Sequence, residues 1–269
     1  MLKWLLLIAG IALLYPWVKG KKRTKAVNQE TSGTKPEVAS KPEAMVLCQF
    51  CKVHLPMPDA LVIEDRFYCS KEHLHAVDER GWLGNALWRI SPNQDVRPEN
   101  IRPDLAVVHH ISLPPGRFKS QASSQYIIDF FQNKLDVSVH PYFEEISPQK
   151  VSSHFLITRT GKLFQFVSTQ NKAWHAGVSS FLGREKCNDF SIGIELEGDG
   201  DTIFEEAQYH ALAKLMAELT EMYPQLQVAG HSDIAPERKT DPGKFFDWKK
   251  FQKATGISSE KLPFGLDSR

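Results

Sequence analysis

Two groups of side chains in this 269-residue chain have the chemistry of metal ligands. In the first, Cys48-x2-Cys51 is followed, after 17 residues, by Cys69-x3-His73. Ligand pairs at close spacing, separated by a hairpin-length stretch, form closed tetrahedral zinc sites, and soft thiolates suit that ion. His54 and His75 compete with His73 for the fourth position, and His73 is preferred because it stands one turn after Cys69 on a helix expected at SKEHLHAV. Four protein ligands leave no open position, so this zinc reads as structural, or as part of an adaptor for a protein partner. In the second group, His109 ends the run VVHH, His231 follows Gly230, and Asp241 comes ten residues later within RKTDPGKFFDW. Two imidazoles and one carboxylate suit zinc as well, and three protein ligands leave a fourth place for water.

Regular elements must carry these residues. LAVVHH (105–110), SSHFLIT (152–158), KLFQFV (162–167), SIGIELEG (191–198) and LQVAGHSD (226–233) read as strands, each rich in β-branched or aromatic residues and punctuated by Gly, Pro or Asn. A helix is expected over about 205–223, with Ala207, Ala211, Leu215, Leu219 and Met222 on one face and Pro224 as its stop, and a second over 124–135. Within LVIEDRFYC a strand, a turn and a strand would return the second ligand pair to the first. Strands mixed with a long helix predict an α/β fold, a mixed central sheet with helices packed on it.

The 33 basic and 32 acidic side chains nearly cancel, which leaves no global field for a nucleic-acid partner. Three of the four cysteines fall within 22 positions, which favours a metal site over a disulfide framework in a chain of this size. Residues 4–18 are uncharged and apolar; as a helix they reach about 22 Å, short of a bilayer core of roughly 30 Å, with Trp4 and Trp17 suited to its two interfaces. Five basic residues follow (Lys19, Lys21, Lys22, Arg23, Lys25), opposite to the charge order of an export signal. The expectation is an uncleaved transmembrane anchor over 1–19, single-pass in an inner membrane with the remainder cytoplasmic; export to the periplasm is the alternative. The polar stretch 20–44 reads as a flexible linker.

The stretches GWLGNALWRISPNQDVRP, VVHHISLPPGRF, HPYFEEISPQKVSSHFLI, WHAGVSSFLGREKCNDFSIGIELEG and GHSDIAPERKTDPGKFFDW resemble, in order and nearly in spacing, the AmpD-like type-2 N-acetylmuramoyl-L-alanine amidases. The resemblance runs from about Arg80 to Phe251. It implies the fold of peptidoglycan-recognition proteins and a zinc amidase that cuts the amide between the lactyl group of muramic acid and the L-alanine of the stem peptide. It also implies a muropeptide substrate, an anhydro-muropeptide of cell-wall recycling being the leading expectation. By the same resemblance His109, His231 and Asp241 are the catalytic-zinc ligands, Glu195 is the acid/base, and Lys239 steadies the oxyanion. Glu197, on the same face of its strand, is the alternative to Glu195. Lys150 and Lys186 stand where the family carries Arg residues facing the peptide, and Trp174 and His175 resemble the wall of the substrate groove. Three positions depart from the family pattern: His110 replaces Asn, Glu237 adds a charge to the ligand loop, and Cys187 is a lone thiol without catalytic duty. Together these readings divide the chain into the anchor (1–19), the linker (20–44), a zinc-ribbon-like module (45–77), an amidase domain (80–254) and a tail (255–269). A wall hydrolase acting on intact peptidoglycan after export, and a binding module that does not cleave, are the competing functions. The presence of all five catalytic-site residues disfavours the binder.

Overall fold

The computed structural model describes residues 43–118 and 120–267. The expected anchor at 1–19 and the linker as far as residue 42 lie outside the described residues. Among the described residues no helix is long and apolar enough to cross a membrane. The single-pass inner-membrane placement is corrected to this extent: no helix of the described residues crosses a membrane, and the 1–19 segment on which it was based is not among them.

The first ligand pairs sit on two short hairpins. Strands β1 (Met45–Leu47) and β2 (His54–Pro56) pair antiparallel, as do β3 (Leu61–Ile63) and β4 (Arg66–Tyr68), the strand, turn and strand that the sequence suggested. Helix α1 (Lys71–His75) follows, and the Ser70 side chain caps it by accepting from the His73 N–H. This unit is fastened to the larger one. Arg66 donates to the carbonyls of Ala86 (2.6 Å) and Gly84 (3.2 Å), and its guanidinium lies 3.9 Å from the centre of the Trp88 ring. Gly84 is required here, because a Cβ would come within 2.3 Å of the Leu74 carbonyl oxygen.

The larger unit contains, in chain order, β5 (Leu87–Trp88), β6 (Gln94–Val96), β7 (Leu105–Ile111), α2 (Gln121–Phe131), α3 (Pro141–Ile146), β8 (Phe155–Ile157), β9 (Leu163–Gln165), β10 (Asn171–Ala173), β11 (Ser180–Phe181), β12 (Arg184–Glu185), β13 (Ser191–Glu197), α4 (Glu206–Met222), β14 (Gln227–Gly230), α5 (His231–Ile234) and α6 (Trp248–Thr255). Six strands form one mixed sheet in the order β14-β7-β13-β8-β9-β5, antiparallel only between β8 and β9. The period of two assigns alternate residues to opposite faces. Phe155 and Ile157 join the core beneath α4 and α6, whereas Leu156 joins the one formed with Ile127, Phe131 and Phe143 of α2 and α3.

Helix α4 buries Tyr209, Leu212, Leu215, Met216 and Leu219 and leaves Ala207 exposed. Its buried face is thus rotated from the expected one, because it meets Phe246, Trp248 and Phe251 as well as the sheet. The strand expected over 226–233 ends at Gly230, and His231 begins α5.

Candidate active site

Parallel register explains how distant residues meet. Glu195 on β13 is level with His109 on β7, and Gly230 at the end of β14 is level with Val108, so His231 emerges beside His109. All three lie toward the carboxyl ends of parallel strands, where open α/β sheets gather their ligands. Asp241 enters from the following loop. His109 Nδ1, His231 Nδ1 and Asp241 Oδ2 form a triangle with sides of 2.9, 2.9 and 3.0 Å. Tetrahedral zinc with bonds of about 2.0–2.1 Å would set ligand atoms roughly 3.3 Å apart.

Hydrogen bonding on the far side of each ring identifies the atoms that face inward. Ser191 Oγ donates to the Cys187 carbonyl, so it accepts from His175 Nε2 at 3.0 Å. His175 Nδ1 must then accept from His109 Nε2 at 2.9 Å, which leaves the lone pair of His109 on Nδ1. His231 Nε2 donates to the Ala176 carbonyl at 3.1 Å, with the same result. Two lone pairs and a carboxylate oxygen therefore converge on one point, an arrangement that a cation satisfies and that neutral packing does not. Burial also lowers His109 to about 4, keeping it in the neutral, ligating form. Gly193 gives His175 its seat: a Cβ there would lie 2.5 Å from the imidazole ring.

The two candidate carboxylates have different surroundings. Glu195 is 8% exposed, and its Oε2 is buried without a hydrogen-bond partner. Burial pushes its carboxyl well above the usual range, the Asp241 charge adds to this, and Lys239 opposes it. Glu197 accepts from the Ser123 and Ser124 hydroxyls and from the Arg159 N–H, and lines a different cavity, against α2. The carboxylate without partners is the one that lines the cleft with the triangle.

That cleft has a volume of about 450 Å³ and is lined by His109, His231, Asp241, Glu195 and Lys239, together with His110, Trp174 and His175. Trp174 is held by its Nε1, which donates to Asp95 at 2.9 Å. His110 points toward Gly200, away from the triangle, as strand alternation requires. Lys150 is exposed and does not line the cleft, although its neighbours Gln149 and Val151 do; Lys186 and Glu237 line a separate hollow. Cys187 is buried in an apolar cluster. Sequence reasoning missed Arg238, which donates to the carbonyls of Ala176 (2.6 Å) and Val178 (2.8 Å) and so fixes the acceptor used by His231. Its one signal was its place in the loop between two ligands. It also missed Phe130, Tyr142 and Ile146, an apolar wall contributed by α2 and α3.

The structure also brings Cys48, Cys51, Cys69 and His73 together, with all four ligand atoms within 4.8 Å of one another. Burial pushes the Cys48 thiol up, but backbone N–H groups of Cys51, Cys69 and Phe50 outweigh it and bring it down to about 6.

A mixed sheet with this triangle and an unpartnered carboxylate toward the carboxyl ends of its strands, and with Lys239 lining the same cleft, defines a hydrolase-like site able to hold a metal. The chain matches the N-acetylmuramoyl-L-alanine amidase family over residues 99–244. It is 48% identical over 176 residues to the 1,6-anhydro-N-acetylmuramyl-L-alanine amidase AmpD of Haemophilus influenzae, covering 64% of this chain and 94% of that one. It is likewise 48% identical to AmpD of Citrobacter freundii over 185 residues, 68% of this chain and 97% of the relative. The crystal structure of a selenomethionine derivative of AmpD superposes with a TM-score of 0.62 at 48% identity, covering 65% of this chain and 97% of the other. The chain belongs to the N-acetylmuramoyl-L-alanine amidase family, and it is an N-acetylmuramoyl-L-alanine amidase. These AmpD relatives are matched over almost their whole length by about two thirds of this chain, so they offer no counterpart to an added anchor.

Proposed function

We propose that this amidase hydrolyses the lactyl–L-alanine amide of 1,6-anhydro-muropeptides released in cell-wall turnover, with zinc held by His109, His231 and Asp241. The observation that carries this reading is the buried, unpartnered Glu195 carboxylate one strand from a converging triangle of ligand atoms. The names of the AmpD relatives support the anhydro-sugar substrate, and enzymes of this family are typically zinc-dependent.

When bound, the metal would supply Lewis acidity and lower the pKa of water. Glu195 takes a proton from the attacking water and returns one to the departing L-alanine nitrogen, for which a carboxyl with a raised pKa is suited. Lys239 supplies positive charge beside the carbonyl oxygen as it becomes an oxyanion. Trp174 and the apolar wall from α2 and α3 hold the sugar and stem and exclude water. His175 acts through His109, fixing its tautomer and ring orientation. His175→Leu should weaken zinc binding at this site by about 10–100-fold in chelator competition. His175→Gln, which can still accept and donate, should restore most of it. Equal affinity in all three proteins would remove His175 from this role.

Anhydro-muramyl tripeptide and intact sacculi, each incubated with the full chain, distinguish the substrates. Mass spectrometry should find free tripeptide and anhydro-muramic acid from the first and little soluble peptide from the second, with chelator abolishing both. Release from sacculi at a comparable rate would favour the wall-hydrolase alternative.

A further inference from the structure

The amidase chemistry does not use the Cys48, Cys51, Cys69 and His73 cluster, which is built on the two hairpins and α1. Three observations bear on what it does. Its dimensions are the first. A tetrahedral zinc thiolate with bonds of about 2.3 Å has sulfur–sulfur edges of about 3.8 Å. Cys51 Sγ and Cys69 Sγ are 3.7 Å apart, too far for a disulfide and close to that edge. His73 Nδ1 completes the group at 3.0 Å from Cys69 Sγ and 3.8 Å from Cys48 Sγ.

Local structure is the second. Lys52 takes the left-handed conformation (φ 63°), and its N–H bonds back to the Cys48 carbonyl, so the chain turns tightly enough to aim both sulfurs of the first pair inward. The Ser70 cap starts α1 where His73 lies one turn beyond Cys69, and the imidazole is stacked on Phe50 at 4.6 Å.

The third is the elimination of the other histidines. His75 Nδ1 is 2.7 Å from Asn85 and 3.2 Å from Glu218 of α4, so it belongs to the contact with the larger unit. His54 lies on β2, paired with Leu47, and is not among the grouped ligands.

We propose that Cys48, Cys51, Cys69 and His73 bind one zinc ion in a closed, four-ligand site that holds the two hairpins and α1 together and thereby fixes Arg66 and His75 against the amidase fold. With no open position the ion does no catalysis. Its work is mechanical: it ties β1 to β4 and so sets the hairpin from which Arg66 reaches the carbonyls of Gly84 and Ala86. This site is independent of the proposed catalytic zinc, and the test keeps the two apart.

The experiment uses the full chain with cobalt in place of zinc, as wild type, Cys51→Ser and Asp241→Asn. Only a thiolate site gives sulfur-to-cobalt charge-transfer absorption. The band should be present in wild type and in Asp241→Asn and absent in Cys51→Ser. The zinc form of Cys51→Ser should carry one ion fewer per chain and melt at least about 5 °C lower than wild type, a shift equivalent to one to three kcal/mol for a domain of this size. No charge-transfer band in wild type, or an undiminished one in Cys51→Ser, overturns the proposal. Should Cys51→Ser not fold, wild-type protein is treated with chelator and its thiols are then titrated with a mercurial. Release of one zinc in step with thiol loss supports the site, and absence of any zinc to release rejects it.

Discussion

Glu195→Gln lowers turnover on anhydro-muramyl tripeptide by at least about 100-fold, and toward 10,000-fold if the carboxyl serves both proton transfers. The change preserves shape and removes only the capacity to exchange a proton. Because Oε2 has no hydrogen-bond partner, the amide breaks no existing contact, and both the melting temperature and the bound zinc should stay near wild type. Glu197→Gln is the informative companion. That carboxylate accepts from two serine hydroxyls and the Arg159 N–H, and hydrogen bonds to a charged group are each worth about 1.5–3 kcal/mol. Its loss should lower the melting temperature while leaving turnover of the folded enzyme within a few-fold. A folded, inactive Glu197→Gln beside an active Glu195→Gln would reverse the assignment.

Asp241→Asn abolishes amidase activity because it removes the one anionic member of the triangle. Two neutral imidazoles remain, and a neutral amide oxygen is a far weaker donor to a divalent cation than a carboxylate. Lewis-acid help to the transition state is worth several kcal/mol, and about 4 kcal/mol is already roughly 1,000-fold in rate. Elemental analysis should find the catalytic zinc missing while the cysteine-bound ion persists, and added zinc should not restore turnover. In wild type, removal of the same ion by chelator should be reversed by zinc. An Asp241→Asn enzyme with full zinc content and more than about a tenth of wild-type turnover would exclude Asp241 as a ligand.

The parts of the fold legible in the sequence were those where local pattern and tertiary demand coincide. LAVVHH and SIGIELEG are buried strands rich in β-branched residues, and they appear as β7 and β13 within a residue or so of their expected bounds. SSHFLIT contracts to Phe155–Ile157: Ser152 turns its backbone N–H to Trp174 and its hydroxyl to Asn93, while His154 keeps bonds to Gly193 and Phe166 at the edge of the strand. The two-residue strand β5 is too short to carry a period. His109 and His231 were legible because imidazoles are unusual at buried strand ends, and parallel register brings those two ends level; Asp241 comes in from the loop that follows. Lys150 and Lys186 do not line the cleft with the triangle, because side-chain direction on a loop follows from no repeating pattern, and Arg238 was missed for the same reason. His175 was read as a groove wall; its hydrogen bond to His109 depends on Gly193, a partner 18 positions away that spacing does not reveal.

The fastening of the hairpin unit through Arg66 has a consequence for solubility. Strand β5 is the last in the six-stranded sheet, and an open sheet edge is a template on which another chain can add a strand. Arg66 occupies the carbonyls of Gly84 and Ala86 just ahead of that strand, covers the Trp88 ring and, with Arg89 and Glu64, surrounds it with charge. The hairpin unit thus places charged side chains beside the end of the sheet, where an approaching strand would have to displace or desolvate them.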